Sequence, residues 1–230
     1  MSNKEKIVKF RKNVYQDWGE AILWAFVVAM IIRNYTFQNF KIPTSSMEQT
    51  LLVGDYLVAN KMKYLFKDPQ REDIVTFRNP DDPMEPHPRD RFVKILAPIY
   101  WSKDKNGFVW YEKKNVVKRV IGMPGDTVEI RNKRVYVNGE IYLKGYEQFL
   151  DRNNTYPQNH FLYRSRDNMD PIVIPEGHYF VLGDNRDLSH DSRVWGFLDR
   201  KDITGAPAMI FFSKSEGGGV RWERSFTFVK

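Results

Sequence analysis

The sequence of 230 residues contains no cysteine. This absence excludes disulfide bonds, a thiolate nucleophile and a thiolate metal site. Histidine is scarce: it occurs only as His87, His160, His178 and His190, and no His-x-x-x-His spacing links them. The sequence therefore predicts neither a metal site nor a cofactor.

The charge lacks the distribution expected of a nucleic-acid-binding protein. The formal net charge is +7, but beyond the N-terminus the cations alternate with acids and no nucleic-acid motif is recognisable. We therefore expect no nucleic-acid partner. Five cations precede the one apolar segment and favour an anionic membrane surface; they are Lys4, Lys6, Lys9, Arg11 and Lys12.

Long hydrophobic runs are missing except near the N-terminus. The uninterrupted run over residues 21–32 is short, but residues 18–37 supply the ~20 positions that a helix needs to cross a bilayer. Trp18 at one end and Tyr35 at the other resemble interfacial aromatic residues. We expect residues 18–37 to form an uncleaved transmembrane anchor; a buried helix of a soluble protein is the alternative.

The positive-inside rule then predicts the topology. Residues 1–17 form a basic cytoplasmic N-terminus, and residues 38–230 lie on the outer face of the plasma membrane of a single-pass protein. The phospholipid bilayer is thus an expected partner.

After residue 40 the chain is expected to be mainly β. Residues 135–142 contain two alternating runs around Asn138-Gly139, a strong signal for a two-residue hairpin. Further strands are expected over residues 116–121, 127–130, 178–182 and 208–212.

Three other segments complete the organisation of the domain. Residues 55–66 favour a helical turn or two. Residues 79–91 are rich in proline and aspartate and are expected to form an exposed loop. Residues 131–176 are polar and turn-rich, so we interpret them as a lobe inserted into the domain of residues 38–230.

Four short patterns follow the apolar segment in a fixed order. Residues 42–47 read Ile-Pro-Thr-Ser-Ser-Met, and residues 50–55 read Thr-Leu-Leu-Val-Gly-Asp. Residues 118–126 read Lys-Arg-Val-Ile-Gly-Met-Pro-Gly-Asp. Residues 183–193 read Gly-Asp-Asn-Arg-Asp-Leu-Ser-His-Asp-Ser-Arg. A serine after a membrane anchor and a lysine within an apolar strand suggest a Ser–Lys hydrolase.

A serine nucleophile needs a base, and two residues are candidates. His190 lies in the last pattern, so a Ser46–His190–Asp site is one possibility. Lys118 is the other, provided that burial or a nearby cation lowers its pKa from ~10.4 to ~7–8. Because side chains alternate along a strand, Lys118 shares a face with Val116 and Val120, and the charged Arg119 points the other way.

Together the patterns resemble those of the bacterial type I signal peptidases (leader peptidases), a serine protease family with a Ser-Lys dyad. The resemblance covers most of residues 18–212. It implies a β-rich catalytic domain of coiled antiparallel sheets and an endopeptidase that removes signal peptides from exported preproteins after small residues, in Ala-x-Ala sites. Signal peptides are the partners that it implies.

The resemblance assigns roles by position. Ser46 matches the nucleophile and Lys118 the general base, while Thr44 and the Ser46 N–H match the oxyanion hole. Ser189 matches the residue that orients the lysine, and Asp191 with Arg193 matches a structural ion pair. The turn at residues 183–187 matches one that packs beside the site. Matches to substrate-binding positions are Ile42, Pro43, Met47, Leu51, Val116 and Val117.

The chain departs from the family pattern at a few positions. Ser45 replaces a usual glycine and leaves the nucleophile ambiguous by one residue, although alternation places Ser46 on the face of Ile42 and Thr44. Gln49 replaces a common proline, and Leu188 a common asparagine. Two alternatives remain open: a peptidase of the same fold with restricted clients, such as a pilin or coat protein, and an inactive relative that binds substrates.

Overall fold

The computed structural model describes residues 14–80, 92–96, 99–103, 106–110, 115–162 and 165–229. Over these residues the chain is mainly β, as predicted. The helices are α1 (Val14–Thr36) and α2 (Ser192–Trp195). The strands are β1 (Phe37–Lys41), β2 (Asp55–Asn60), β3 (Ile74–Arg78), β4 (Phe92–Leu96), β5 (Ile99–Ser102), β6 (Gly107–Trp110), β7 (Asn115–Gly122), β8 (Thr127–Arg131), β9 (Arg134–Val137), β10 (Glu140–Tyr142), β11 (Met169–Val173), β12 (His178–Leu182), β13 (Leu198–Asp199), β14 (Ile203–Ser213) and β15 (Thr227–Phe228).

The described strands form three antiparallel sheets. The largest has the order β1-β2-β14-β3-β7-β12-β13, with β15 added to β14. Strand β14 pairs with β2, β3 and β15, and its ladders contain register shifts at Pro207/Met209, Ile210/Phe212 and Ile203/Gly205. Such bulges bend a strand and increase its twist, so this sheet curls. The predicted strands over 116–121, 127–130, 178–182 and 208–212 all lie within β7, β8, β12 and β14.

The second sheet has the order β10-β9-β8-β11. Strands β9, β10 and β11 lie in the region predicted as an inserted lobe, residues 131–176, whereas β8 precedes that region except for Arg131. Its β9–β10 hairpin turns at Asn138 (φ 54°) and Gly139 (φ 84°), the left-handed conformations that an Asn-Gly turn requires. Val128 and Ile130 of this sheet pack in one cluster with Phe180 of the main sheet. Val135, Val137 and Met169 of residues 131–176 belong to the same cluster, so the two sheets share a core. The inserted lobe stays a prediction.

Helix α1 occupies the segment predicted as an anchor. However, none of the helices that the structure describes combines the length and apolarity of a membrane span. The predicted transmembrane anchor over residues 18–37 is therefore not supported.

The prediction of helical turns over residues 55–66 was wrong. Asp55–Asn60 is strand β2, whose residues alternate between buried and half-buried, and non-helical turns follow it. Of the predicted loop 79–91, residues 81–91 lie outside the described residues, as do residues 1–13 of the basic N-terminus.

Candidate active site

Ser46 lies in a single 3₁₀ turn, Ser45–Met47, that directly follows an extended residue, Thr44 (φ −130°, ψ 155°). The turn closes with a backbone hydrogen bond from Glu48 N–H to the Ser45 carbonyl, 3.0 Å. Gln49 then adopts φ 82°. Proline cannot adopt this conformation, so the loss of the usual proline at this position fits the backbone of this chain.

Lys118 reaches Ser46 from the middle of β7. Its Nζ lies 2.6 Å from Ser46 Oγ, within hydrogen-bonding distance, across a sequence separation of 72 residues. Lys118 is only 2% exposed and Ser46 8%. Burial lowers the pKa of Lys118 to about 8; the Asp191 carboxylate opposes this shift and the Arg193 guanidinium adds to it. The neutral amine is therefore accessible near physiological pH.

Thr44 brings a second hydroxyl to the nucleophile. Thr44 Oγ1 lies 3.4 Å from Ser46 Oγ, and either oxygen can be the donor. Thr44 is exposed, whereas Ser46 is buried. The Ser46 N–H donates no hydrogen bond to any residue that the structure describes. These two groups are available as donors to an oxygen bound beside Ser46. Ser45 is half-buried, and no hydrogen bond of its side chain to Lys118 occurs among the described residues.

The last pattern supplies a buried ion pair behind Lys118. Arg193 donates from Nε and Nη2 to the two carboxylate oxygens of Asp191, both at 2.8 Å. Burial acts to raise the pKa of Asp191, but Arg193 outweighs it and holds that pKa below its ordinary value. Asp191 also accepts from the Gly183 N–H, 3.1 Å. The pair is thus tied to the backbone that passes beneath Ser46.

Ser189 lies beside Gly183, where an added Cβ would lie 2.3 Å from Ser189 Oγ. That Oγ is buried and makes no hydrogen bond to Lys118. It is close enough to Asp191 to help lower the pKa of that carboxyl. The orientation of Lys118 by Ser189 stays a prediction.

One buried polar network, around Arg119 and Asp184, was not predicted from the sequence. Arg119 points away from Lys118, as alternation predicted, but it is buried and forms a bidentate pair with Asp184 at 2.9 and 2.8 Å. Thr50 donates to the same carboxylate, 2.5 Å, and the Arg119 guanidinium stacks on the Tyr146 ring at 4.0 Å. The signal was present as one polar residue in each of three patterns, Thr50, Arg119 and Asp184, but only the fold pairs them.

The residues matched to substrate pockets fall into two groups. Ile42, Met47, Leu51 and Val117 pack together in one hydrophobic cluster, and Leu51 is fully buried. Pro43 is exposed, and Val116 is half-buried against a different cluster that contains Val120. The first four residues therefore underlie the nucleophile turn as part of the core.

None of the three histidines that the structure describes forms a hydrogen bond with Ser46. His190 is exposed, whereas Lys118 is buried and within 2.6 Å of the serine. His178 contacts the Glu176 carbonyl and His160 packs against Tyr156; His87 lies outside the described residues. No group of three metal-ligating side chains occurs within the described part of the chain.

The sequence relationships agree with this geometry. A family model described as signal peptidase, peptidase S26, matches residues 15–212. The chain belongs to this family. As a signal peptidase it is a serine endopeptidase, and Ser46 and Lys118 both lie inside the matched region.

Full-length relatives support the assignment. The chain is 32% identical to a signal peptidase I of Bacillus amyloliquefaciens over 94% of this chain and 96% of the relative. It is 32% identical to signal peptidase I of Pseudomonas aeruginosa over 86% and 72%. Among solved structures, a signal peptidase I from Enterococcus faecalis V583 matches 61% of this chain and 97% of that chain at 30% identity, with a TM-score of 0.36.

Proposed function

We propose that this signal peptidase works through a Ser46–Lys118 dyad and cleaves preproteins after small residues in Ala-x-Ala sites. The observation that carries the proposal is the 2.6 Å distance between Lys118 Nζ and Ser46 Oγ in a buried environment. A lysine with a pKa of about 8 is sufficiently deprotonated near neutral pH to accept a proton. A charged lysine at the same distance could only donate to the hydroxyl.

The reaction proceeds in two halves. Neutral Lys118 accepts the Ser46 hydroxyl proton while Ser46 Oγ attacks the scissile carbonyl carbon, and the carbonyl oxygen becomes an oxyanion. The Lys118 ammonium then donates that proton to the leaving amine, and an acyl-enzyme remains. Lys118 next accepts a proton from water, whose oxygen attacks the ester, and returns it to Ser46 Oγ as the ester bond breaks.

The oxyanion is stabilised by the Thr44 hydroxyl and the Ser46 N–H. Thr44 Oγ1 is close enough to the nucleophile, at 3.4 Å, to reach an oxygen that develops beside it. Losing one such donor commonly costs about 3–4 kcal/mol of transition-state stabilisation. Asp191 and Arg193 neutralise one another behind Lys118, so that the lysine amine is not held in its charged form by an unpaired carboxylate.

Two free strand edges support an extended substrate. Strand β1 is the terminal strand of the main sheet and pairs only with β2 among the described strands. Strand β7 pairs with β3 on one side along residues 115–119, but on its other side β12 pairs only with residues 119–122. The edge of β7 that faces away from β3 therefore has no partner at residues 115–118 among the described strands. A peptide in this position can form main-chain hydrogen bonds, as in β-strand addition. Small side chains at the −1 and −3 positions of the peptide would fit here, because the packed side chains of Met47 and Leu51 leave no deep pocket beneath it.

The deciding experiment is turnover of a preprotein that carries alanine at positions −1 and −3 by the purified full chain in detergent. We expect cleavage directly after the −1 alanine, located by mass spectrometry. A matched preprotein with leucine at −1 should remain uncut. Cleavage of one natural client and of no other Ala-x-Ala preprotein would favour the restricted-client alternative, and absence of all turnover would contradict the proposed reaction.

We also propose that α1 attaches the enzyme to a lipid bilayer. Its described side chains between residues 15 and 29 are exposed and include several large apolar ones; these are Trp18, Ile22, Leu23, Trp24, Phe26 and Val28. Vesicles containing phosphatidylglycerol should carry the full chain upward in a density gradient, and a chain lacking residues 1–36 should remain below. Equal flotation of both chains would overturn the role of α1. The outward orientation of the catalytic part stays a prediction, tested by adding protease to spheroplasts.

A further inference from the structure

A concave site lies beside the second sheet, of order β10-β9-β8-β11, and none of its lining residues belongs to the dyad or oxyanion hole. It is a cavity of about 470 Å³. Four cations and a single acid, Glu147, line it together with apolar side chains. The cations are Lys133, Arg134, Arg152 and Arg186. A cavity with this surplus of positive charge is suited to an anionic ligand.

The most buried of these cations is incompletely paired. Arg186 is 3% exposed, yet its Nε and Nη2 have no hydrogen-bond partner among the described residues. The nearest carboxylate oxygen, on Glu147, lies 3.5 Å from Nη2, and Glu147 also accepts from the Gly145 N–H. Burial and the neighbouring Arg193 lower the pKa of Arg186. A buried guanidinium with unused donors gains from an added anion.

Two further cations at the cavity are available to a ligand. Arg134 is exposed and forms no ion pair or hydrogen bond within the described residues. Arg152 donates from Nε to the Phe149 carbonyl, 3.2 Å, and has no carboxylate partner there. Lys133 differs, because it is paired with Asp187 at 3.1 Å. Arg134 and Arg152 therefore supply the net attraction for an anion, and Arg186, whose ion pair with Glu147 is 3.5 Å long, adds unused hydrogen-bond donors.

The apolar part of the cavity lies along a free strand edge. Strand β10 is an edge strand of the second sheet and pairs only with β9 among the described strands. Ile141 on this strand is 50% exposed and Leu143 just after it is 66% exposed, and both line the cavity. An extended peptide can hydrogen-bond to such an edge while its side chains alternate between pocket and solvent.

We propose that this cavity binds an extended acidic peptide segment. A carboxylate of the segment pairs with Arg186, Arg134 and Arg152, and apolar residues beside it cover Ile141 and Leu143. The site is a binding site only and is independent of the Ser–Lys mechanism. The cavity is connected to the turn that carries Ser46, because Asn185, the sequence neighbour of Arg186, donates its N–H to the Ser46 carbonyl.

The test is binding of the peptide acetyl-Val-Glu-Val-Asp-Val-amide, with rhodamine linked through its C-terminal amide nitrogen, to the full chain in detergent, measured by fluorescence anisotropy. This peptide lacks alanine, so it is not a substrate of the proposed reaction. We expect saturable binding that weakens with added salt. The matched peptide acetyl-Val-Gln-Val-Asn-Val-amide should bind at least about fivefold more weakly, since it lacks the charges that pair with the arginines.

Variants locate the binding. Arg134→Gln/Arg152→Gln should raise the Kd of the acidic peptide about fivefold or more, and both side chains are exposed enough for the fold to tolerate the change. Arg131→Gln is the control, because Arg131 is in the same sheet, pairs with Glu129 and lies outside the cavity. Equal binding by the double variant and the parent overturns the proposal, and so does an equal loss in the Arg131 control.

A lipid ligand is the outcome that would replace the peptide. If phosphatidylglycerol vesicles, but not the acidic peptide, bind in a way that depends on Arg134 and Arg152, the site recognises headgroup phosphate and the peptide proposal is wrong. Arg186→Lys adds a check on the buried end of the cavity. It keeps the charge but removes the planar donor set, so we expect weaker peptide binding, and unchanged binding would remove Arg186 from the site.

Discussion

The backbone N–H of Asn185 donates a 3.1 Å hydrogen bond to the carbonyl oxygen of Ser46, so the last pattern holds the nucleophile turn through main-chain atoms. Gly183 lies against the same carbonyl. A Cβ on Gly183 would be 2.4 Å from the Ser46 carbonyl oxygen and 2.3 Å from Ser189 Oγ. The space beside the nucleophile turn is therefore filled by backbone, and a side chain at position 183 has no room.

Gly183→Ala should consequently move the nucleophile. We expect a fall of at least about tenfold in kcat and a loss of roughly 1–3 kcal/mol in the free energy of unfolding, because backbone atoms must shift to admit the methyl group. Preprotein cleavage and urea unfolding measure the two effects. Gly217→Ala is the control, since no atom lies within 4 Å of its added Cβ. An unchanged kcat in Gly183→Ala would mean that the contact does not position Ser46.

Ser46→Ala should abolish preprotein cleavage, with a loss of about 10⁴-fold or more, because no other hydroxyl among the described residues is hydrogen-bonded to Lys118 Nζ. Ser45→Ala should keep most of the activity. The rate of appearance of mature protein distinguishes them. An active Ser46→Ala with an inactive Ser45→Ala would move the nucleophile by one position. His190→Ala should also stay active, and its inactivation would revive the histidine as the base.

Activity should depend on the deprotonation of Lys118. Since burial lowers the pKa of this lysine to about 8, kcat/KM should rise with pH and level off above that value. Initial rates of preprotein cleavage between pH 6 and 10 provide the profile. A rise that continues to the ordinary lysine pKa near 10.5 would show a solvated lysine, and a profile centred near pH 6.5 would point to a histidine.

The same lowered pKa makes a prediction about stability. Between pH 10.5 and about 8 the unfolded lysine binds a proton that the folded one does not, so the folded state is progressively penalised as pH falls. Below pH 8 the penalty is complete, at about 3 kcal/mol. Lys118→Met, of similar length and uncharged, should be inactive.

That variant should be at least as stable as the parent at pH 6, and the difference should shrink as pH rises from 8 to 10.5. Urea unfolding at several pH values in detergent provides the comparison. A Met variant clearly less stable than the parent at pH 6 would mean that Lys118 is charged and paired, and the proposed base would then be wrong.

Thr44→Val removes a hydroxyl with little change in shape. We expect kcat to fall about 10²–10³-fold with little change in KM, because the lost hydrogen bond forms mainly in the transition state. Thr44→Ser should restore most of the rate. If Thr44→Val instead raises KM and leaves kcat unchanged, Thr44 contacts the bound substrate and is not part of the oxyanion hole.

Local patterns in the sequence predicted much of the fold. Strands β7, β12 and β14 of the main sheet follow from short β-branched and apolar runs, and the β9–β10 hairpin follows from Asn138-Gly139, since the backbone preferences of a turn are local. Alternation along β7 correctly separated Lys118 from Arg119. The apolar run at residues 21–32 correctly predicted a helix there. Its interpretation as a membrane span is not supported, since none of the helices that the structure describes combines the length and apolarity of a span.

The sequence by itself determined which chemical groups the enzyme has: a serine, a lysine and no cysteine. Only the tertiary structure decided which of them meet. The curl of the main sheet brings Lys118 within 2.6 Å of Ser46 across 72 residues, and it buries the lysine enough to lower its pKa. It also pairs Arg119 with Asp184 and leaves Arg186 short of partners. Burial and long-range pairing are properties of the packed whole, so no local pattern encodes them.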